Sequence, residues 1–247
     1  MKKNNLFLTI VVLTVILFST SGYAQTVTIG KQVWTSKNLN VSTYRNGDVI
    51  PQVQDKQAWA KLTTGAWCYY NNDTSNGTKY GKLYNWYAVN DPRGIAPKGY
   101  HIPTVEEWKK LTDYLGGESE AGTKMKSTSG WGSTISGGSK ICPNCSSWSE
   151  EYRKKVPCHT CKDTRVVSLT TVINSGNGSG STGFSGLPAG AHDSDGTFYN
   201  IDKGAFWWSS SEIDSQAIVC YLQYYKGNAG IGKDSKISGY SVRCIRD

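Results

Sequence analysis

The chain has 247 residues, with 27 Lys and Arg against 19 Asp and Glu and a formal net charge of +8. That length suits one large domain, or one domain carrying an insert. The lysines are scattered apart from Arg153-Lys154-Lys155, the pattern of a solvated basic surface, which excludes a strong charge argument for a polyanion partner.

Lys2 and Lys3 precede a thirteen-residue apolar run, Leu6 to Phe18, and then small polar residues ending at Ala24. This is the pattern of a secretory signal peptide, residues 1–24, with cleavage expected after Ala24. Such a run spans about 20 Å as a helix, short of the roughly 30 Å hydrocarbon core. No cysteine follows the small residues to take a lipid, and no later run is apolar enough to span a membrane. The mature chain, 25–247, is expected to be secreted and to reside at the cell surface or in the periplasm. Loss of Lys2 and Lys3 lowers its formal charge to +6.

Val27, Ile29 and Val33 alternate with polar residues about Gly30-Lys31, predicting a hairpin. Asn46-Gly47-Asp48 predicts a turn, Ala58 to Leu62 a brief helix burying Trp59, and Gly65 to Tyr70 a strand. Asn71 to Gly77 reads as an exposed loop. Tyr80 to Val89 is compatible with strand or helix. The clearest helix follows Thr104, an N-cap with Glu107 three residues on, a capping box. Trp108, Leu111 and Leu115 make one apolar stripe, and Gly116-Gly117 supplies a left-handed stop. About three turns of helix should therefore pack by one face on a β-rich body. From Phe184 onward, segments at 187–190, 197–199, 205–209, 217–225 and 239–246 read as core strands, and Asp193 to Gly196 as a turn without the spaced oxygens of a calcium loop.

Between these parts the composition changes. Ser127 to Ser139 and Asn174 to Gly183 are rich in Gly and Ser, and they flank Cys142-Pro-Asn-Cys145 and Cys158-His-Thr-Cys161. Residues 132–175 thus read as an insert with flexible flanks. Two C-x2-C knuckles place four thiolates, Cys142, Cys145, Cys158 and Cys161, for a closed tetrahedral structural zinc site resembling a zinc ribbon. Metal binding would supply much of the module's folding free energy. Two disulfides, or an iron or redox site, are the alternatives in an oxidising compartment. Of the remaining cysteines, Cys220 and Cys244 are the favoured pair, against buried free thiols and against pairing with Cys68.

Eight segments occur in one order: Thr28–Val41, Arg45–Ile50, Gly65–Asp73, Tyr80–Val89, Pro97–Trp108, Gly183–Gly190, Trp207–Glu212 and Gly239–Arg246. Together they resemble the Fibrobacter succinogenes major paralogous domain family (FISUMP) over nearly the whole mature chain. The resemblance implies an α+β, C-type lectin-like mixed fold, with a twisted antiparallel sheet, a few short helices and long loops, in an exported and often surface-associated protein. The family commonly has a cysteine where this chain has Ala96, so a disulfide from that position to Cys244 is impossible here. The Pro97–Trp108 run is also similar to one in the formylglycine-generating enzymes, which use a reactive cysteine pair and copper. Their Gly-Gly-Ser-Trp stretch is absent, with Trp207–Ser211 in the comparable region, and no catalytic residue is carried over.

The expected role is binding or structural, toward a glycan or an envelope protein, with no catalytic activity. Trp67, Tyr69, Tyr70, Trp207, Trp208, Tyr224 and Tyr225 are the aromatic candidates for stacking on sugars, set against their use as core. The alternatives are an oxidase of the formylglycine-generating type using Cys220 and Cys244, and nucleic-acid binding through Arg153, Lys154, Lys155, Lys162 and Arg165 beside Trp148 and Tyr152. Export takes the chain away from the usual nucleic-acid partner.

Overall fold

The computed structural model describes residues 25–141 and 166–247. β1 (Thr26–Ile29) and β2 (Gln32–Thr35) form the expected antiparallel hairpin. Asp55 caps α1 (Lys56–Trp59) by accepting from the Ala58 N–H at 2.7 Å, and Trp59 is buried. β3 (Trp67–Cys68) follows. The stretch Asn71–Gly77, expected as an exposed loop, instead holds a 3-10 turn (Tyr70–Asn72) and most of α2 (Thr74–Tyr80). Asp73 accepts from Ser75 N–H at 2.9 Å to start this helix. Gly77 is required there because the Tyr69 ring fills the space a Cβ would take. Packing on that ring overrides the poor helix propensity of Asn, Gly and Thr.

The ambiguous Tyr80–Val89 segment is both things it resembled. β4 (Leu83–Tyr84) pairs with β3, and α3 (Trp86–Val89) follows at once. Asn85 makes the switch: its Oδ1 accepts from the Ala66 and Ala88 N–H groups at 2.9 and 3.0 Å, and its amide donates to the Thr64 carbonyl. After β5 (Tyr100–His101), α4 (Val105–Tyr114) has the expected capping box, with Glu107 Oε2 accepting from Thr104 N–H at 2.8 Å. Trp108, Leu111 and Leu115 are buried, and Gly116 and Gly117 take φ of 101° and 90° to end the helix. A further helix, α5 (Glu118–Met125), starts immediately. Ala121 and Met125 are too few and too small an apolar set to announce it, and both are buried only by tertiary packing.

β6 (Ser133–Ile141) and β7 (Val166–Ser175) pair antiparallel as a long ribbon. The expected flexible flanks are therefore partly a ladder, built by backbone hydrogen bonds that Gly and Ser do not prevent. β8 (Ala189–His192) and β9 (Phe198–Ile201) form a hairpin whose connection contains the expected Asp193–Gly196 turn. β10 (Gly204–Ile213), β11 (Gln216–Gln223) and β12 (Ala229–Asp234) make a three-stranded antiparallel sheet with a register shift between Trp208 and Glu212. The short β13 (Ile245–Arg246) lies between β2 and β5 in a four-stranded sheet, order β1-β2-β13-β5, so the two ends of the described chain share one sheet. The architecture is α+β, with mixed small sheets and a few short helices. Among the described residues no helix is long and apolar enough to cross a membrane.

The 239–246 segment, expected as one strand, is regular only at its end. Gly239, Tyr240 and Ser241 bridge to His192, Tyr84 and Trp207 in turn. Val242 and Cys244 accept through their carbonyls from Leu39 and Thr35 N–H groups. Each residue bonds to a different element, so no single ladder can form. The segment is a seam between two aromatic cores. One gathers Trp34, Trp108, Phe184 and Trp207, with the Trp34 and Trp108 rings 4.7 Å apart. The other gathers Trp67, Tyr84, Trp86, Trp208 and Tyr240. Each buried large ring contributes on the order of 4–6 kcal/mol of hydrophobic burial.

The expected Cys220–Cys244 bond is not made. Cys68, Cys220 and Cys244 are free and buried. Cys220, on β11, belongs to the Trp108 core, and Cys244, in the seam itself, to the Tyr84 core. Burial pushes all three thiols up, Cys244 to about 12.

Two indoles at the Trp108 core differ in a testable way. Trp207 Nε1 donates to Asn38 Oδ1 at 2.9 Å, whereas Trp108 Nε1 is buried without an acceptor among the described residues. Trp108→Phe is expected to cost less stability in urea unfolding than Trp207→Phe, by about 1–3 kcal/mol. Equal losses would mean that ring volume alone sets both. His192 offers a second test. It is buried between Trp59 and Phe198, and desolvation lowers its pKa to about 4 against the opposing charges of Asp193 and Asp195. From about pH 6.5 down to 4 the unfolded chain binds the extra proton, so stability is lost as pH falls through that window. Relative to wild type, His192→Phe should remove a loss on the order of 3 kcal/mol. Parallel pH–stability curves for the two proteins would contradict this.

Candidate ligand-binding cleft

Seven aromatic residues are candidates for a binding surface, and the fold sorts them by burial. Trp67, Tyr70, Trp207 and Trp208 are core residues, the last two fully buried. Tyr69 is half-buried against Trp67 and Gly77. Tyr224 and Tyr225 follow the end of β11. Tyr224 rests against the Trp108 core, while Tyr225 is 50% exposed. Their rings meet edge to face, with centroids 5.2 Å apart. Lys226 Nζ lies 5.5 Å from the Tyr225 centroid, a cation–π arrangement that orients the ring.

These tyrosines border a cleft of about 230 Å3 lined also by Thr123, Lys126, Asn177 and Lys226. α5 forms one wall and the root of the β6–β7 ribbon another. At that root Gly176 N–H donates to the Gly132 carbonyl at 2.8 Å, and Asn177 Oδ1 accepts from Trp131 N–H at 3.1 Å. The turn carrying Tyr225 is held from below by Lys126. This lysine is buried, and its ammonium donates to the carbonyls of Gln223 and Lys226 at 2.7 Å each and to that of Tyr224 at 3.4 Å. It also lies 4.9 Å from the Trp131 ring centroid. Burial lowers its pKa to about 8. Its donors are spent on the backbone, so Lys126 acts by fixing the loop. An exposed ring held on a braced turn, beside polar groups, can stack on an apolar face while neighbours hydrogen-bond its edge.

Sequence reasoning finds Tyr224 and Tyr225 and misses Lys126, Thr123 and Asn177. Lys126 looks like any surface lysine in the sequence, with only the nearby Trp131 as a hint. The four predicted metal ligands, Cys142, Cys145, Cys158 and Cys161, lie outside the described residues, as do the basic and aromatic residues expected to contact nucleic acid. Among the described residues no group of three or more His, Cys, Asp or Glu gathers as a metal site.

A second feature ties together the segments that carry the family resemblance. Asn38 Oδ1 accepts from Trp207 Nε1 and from Arg243 Nε at 2.9 and 2.8 Å, and its amide donates to the Tyr80 carbonyl and to Ser241 Oγ. Arg243 is buried and donates through Nη1 to the carbonyls of Thr35 and Phe184. Four segments distant in sequence thus meet at one side chain.

The molecule is thus an α+β domain of small antiparallel sheets, sealed by buried aromatics, with a polar cleft bordered by an exposed tyrosine. The chain belongs to the Fibrobacter succinogenes major domain family, whose profile matches residues 27–246. No curated protein and no solved structure matches it.

Proposed function

We propose that this protein is an exported component of the cell envelope that binds a glycan at the Tyr224–Tyr225 cleft, on a body of C-type lectin-like type. The observation that carries this reading is the exposed Tyr225 ring, held on a turn that Lys126 braces at three carbonyls. Preorganised aromatics limit the entropy lost on binding. The leader-like residues 1–24 support export, and secretion places the cleft among polysaccharides and envelope proteins. An oxidase of the formylglycine-generating type gains no support. It needs an accessible thiolate pair, and Cys68, Cys220 and Cys244 are buried with raised pKa values.

The mature protein on a glycan array should bind one polysaccharide class. Tyr225→Ala should weaken that binding about tenfold or more, with little change in stability because the ring is half-exposed. Silence across the array, or unchanged binding by Tyr225→Ala, would defeat this assignment.

We also propose that Cys142, Cys145, Cys158 and Cys161 hold a structural zinc ion in the segment closed off by the β6–β7 ribbon. The support is the spacing of the two knuckles and the register of the ribbon, which pairs Ile141 with Val166 and so brings the two ends of that segment side by side. With four thiolates its coordination is closed, and the metal would have a folding role. Protein prepared without chelator should carry about one zinc per chain by elemental analysis. Four disulfide-linked cysteines that resist alkylation until reduction would reject the metal.

A further inference from the structure

We infer that a second cleft, between the Ser36–Asn40 segment and α2, binds the carboxylate of an acidic sugar unit. The cleft has a volume of about 170 Å3, and its lining includes Lys37, Asn38, Asn40, Thr78, Lys79 and Arg243. That space is small by the standard of drug-sized pockets and suits one compact polar unit.

The described residues leave positive charge at this cleft uncompensated. Arg243 is buried, and its partners among the described residues are all neutral: Asn38 Oδ1 and the carbonyls of Thr35, Phe184 and Ser185. Its Nη2 has only the 3.4 Å contact with Ser185. Across the cleft wall a second buried cation, Lys82, repeats the pattern. Its ammonium donates to Asn40 through the carbonyl and Oδ1, at 3.1 and 3.0 Å, and lies 4.2 Å from the Trp67 ring centroid. Asn38 and Asn40, which line the cleft, therefore each hold a buried cation, Arg243 in the lining and Lys82 behind it. Lys37 and Lys79 add two exposed charges at the rim. Among the described residues one carboxylate reaches this region: Asp202, which accepts from Tyr80 Oη at 2.9 Å and whose charge acts on Lys79. It offsets one of four cations.

Carbonyls satisfy the hydrogen bonds of a buried guanidinium but supply only partial charge. Desolvating such a cation costs several kcal/mol. An anion entering the cleft meets a field that is already organised, with two cations fixed in low dielectric, Lys79 held over the Tyr80 ring at 4.5 Å and Lys37 exposed at the rim. The polar lining and limited volume favour a carboxylate carried on a hydroxylated ring. The inference rests on the glycan reading for ligand class and uses a different site.

The test uses a galacturonate trisaccharide and its methyl-esterified counterpart, which replaces each carboxylate with a neutral methyl ester on the same sugars, titrated by calorimetry into the mature protein. The double variant Lys37→Gln/Lys79→Gln keeps both buried cations, so its fold should hold, which thermal unfolding checks. The acid form should bind and the ester at least tenfold more weakly. The acid form's affinity should fall with added salt, as expected for screened charges. The double variant should lose tenfold or more, and Tyr225→Ala should lose little. Equal binding of acid and ester, no binding of the acid form, or undiminished binding by the double variant each overturns this inference. Array binding that depends on Tyr225 would survive any of those results, and uronate binding that ignores Tyr225 would survive failure of the first cleft.

Discussion

Arg243 donates to Asn38, Thr35 and Phe184, and through Asn38 it is joined to Trp207 and Ser241. The first hairpin, the loop before β8, the three-stranded sheet and the C-terminal seam all depend on that arrangement. A guanidinium suits the task because its planar fork offers donors in several directions at once. Its burial carries a desolvation cost, and the surrounding carbonyls offset part of it. The Thr35 carbonyl belongs to the end of β2 and the Phe184 carbonyl to the loop before β8, so one guanidinium ties both to the seam.

The seam also explains the division of the aromatics. Residues on β10 alternate across it, so Trp207 enters the core with Trp108 while Trp208 enters the core with Tyr240. Neighbouring residues with the same side chain thus serve different cores, as period-two strands require. Aromatics at the core are spent on stability. The ring left over for display is Tyr225, beyond the end of β11, where the chain has turned away from the sheet. Lys126 then braces that turn at the carbonyls of Gln223, Tyr224 and Lys226.

Elements governed by local chemistry are legible in the sequence. The capping box at Thr104 and Glu107, the hairpin about Gly30-Lys31 and the turn at Asp193–Gly196 depend on residues within a few positions of one another. Elements governed by distant partners are not. α2 forms on the Tyr69 ring, α5 forms where Ala121 and Met125 find the core, and β12, with two glycines among its six residues, exists because β11 offers it a ladder. Cys220 and Cys244 look like partners because both lie on late apolar segments. The seam places them in separate cores, a fact that no spacing reveals.

The family, the α+β class, the best-capped helix and the pool of aromatic candidates can be read from the residues alone, because motif order, caps and alternation are written in neighbouring residues. Which aromatic ring faces solvent, which lysine is buried to brace it, and that Arg243 and Lys82 sit beside one cleft without a carboxylate partner among the described residues follow only from packing. Burial and charge compensation depend on what the rest of the chain brings near a residue, and residues 38, 126, 207 and 243 meet their partners only after the whole domain has closed.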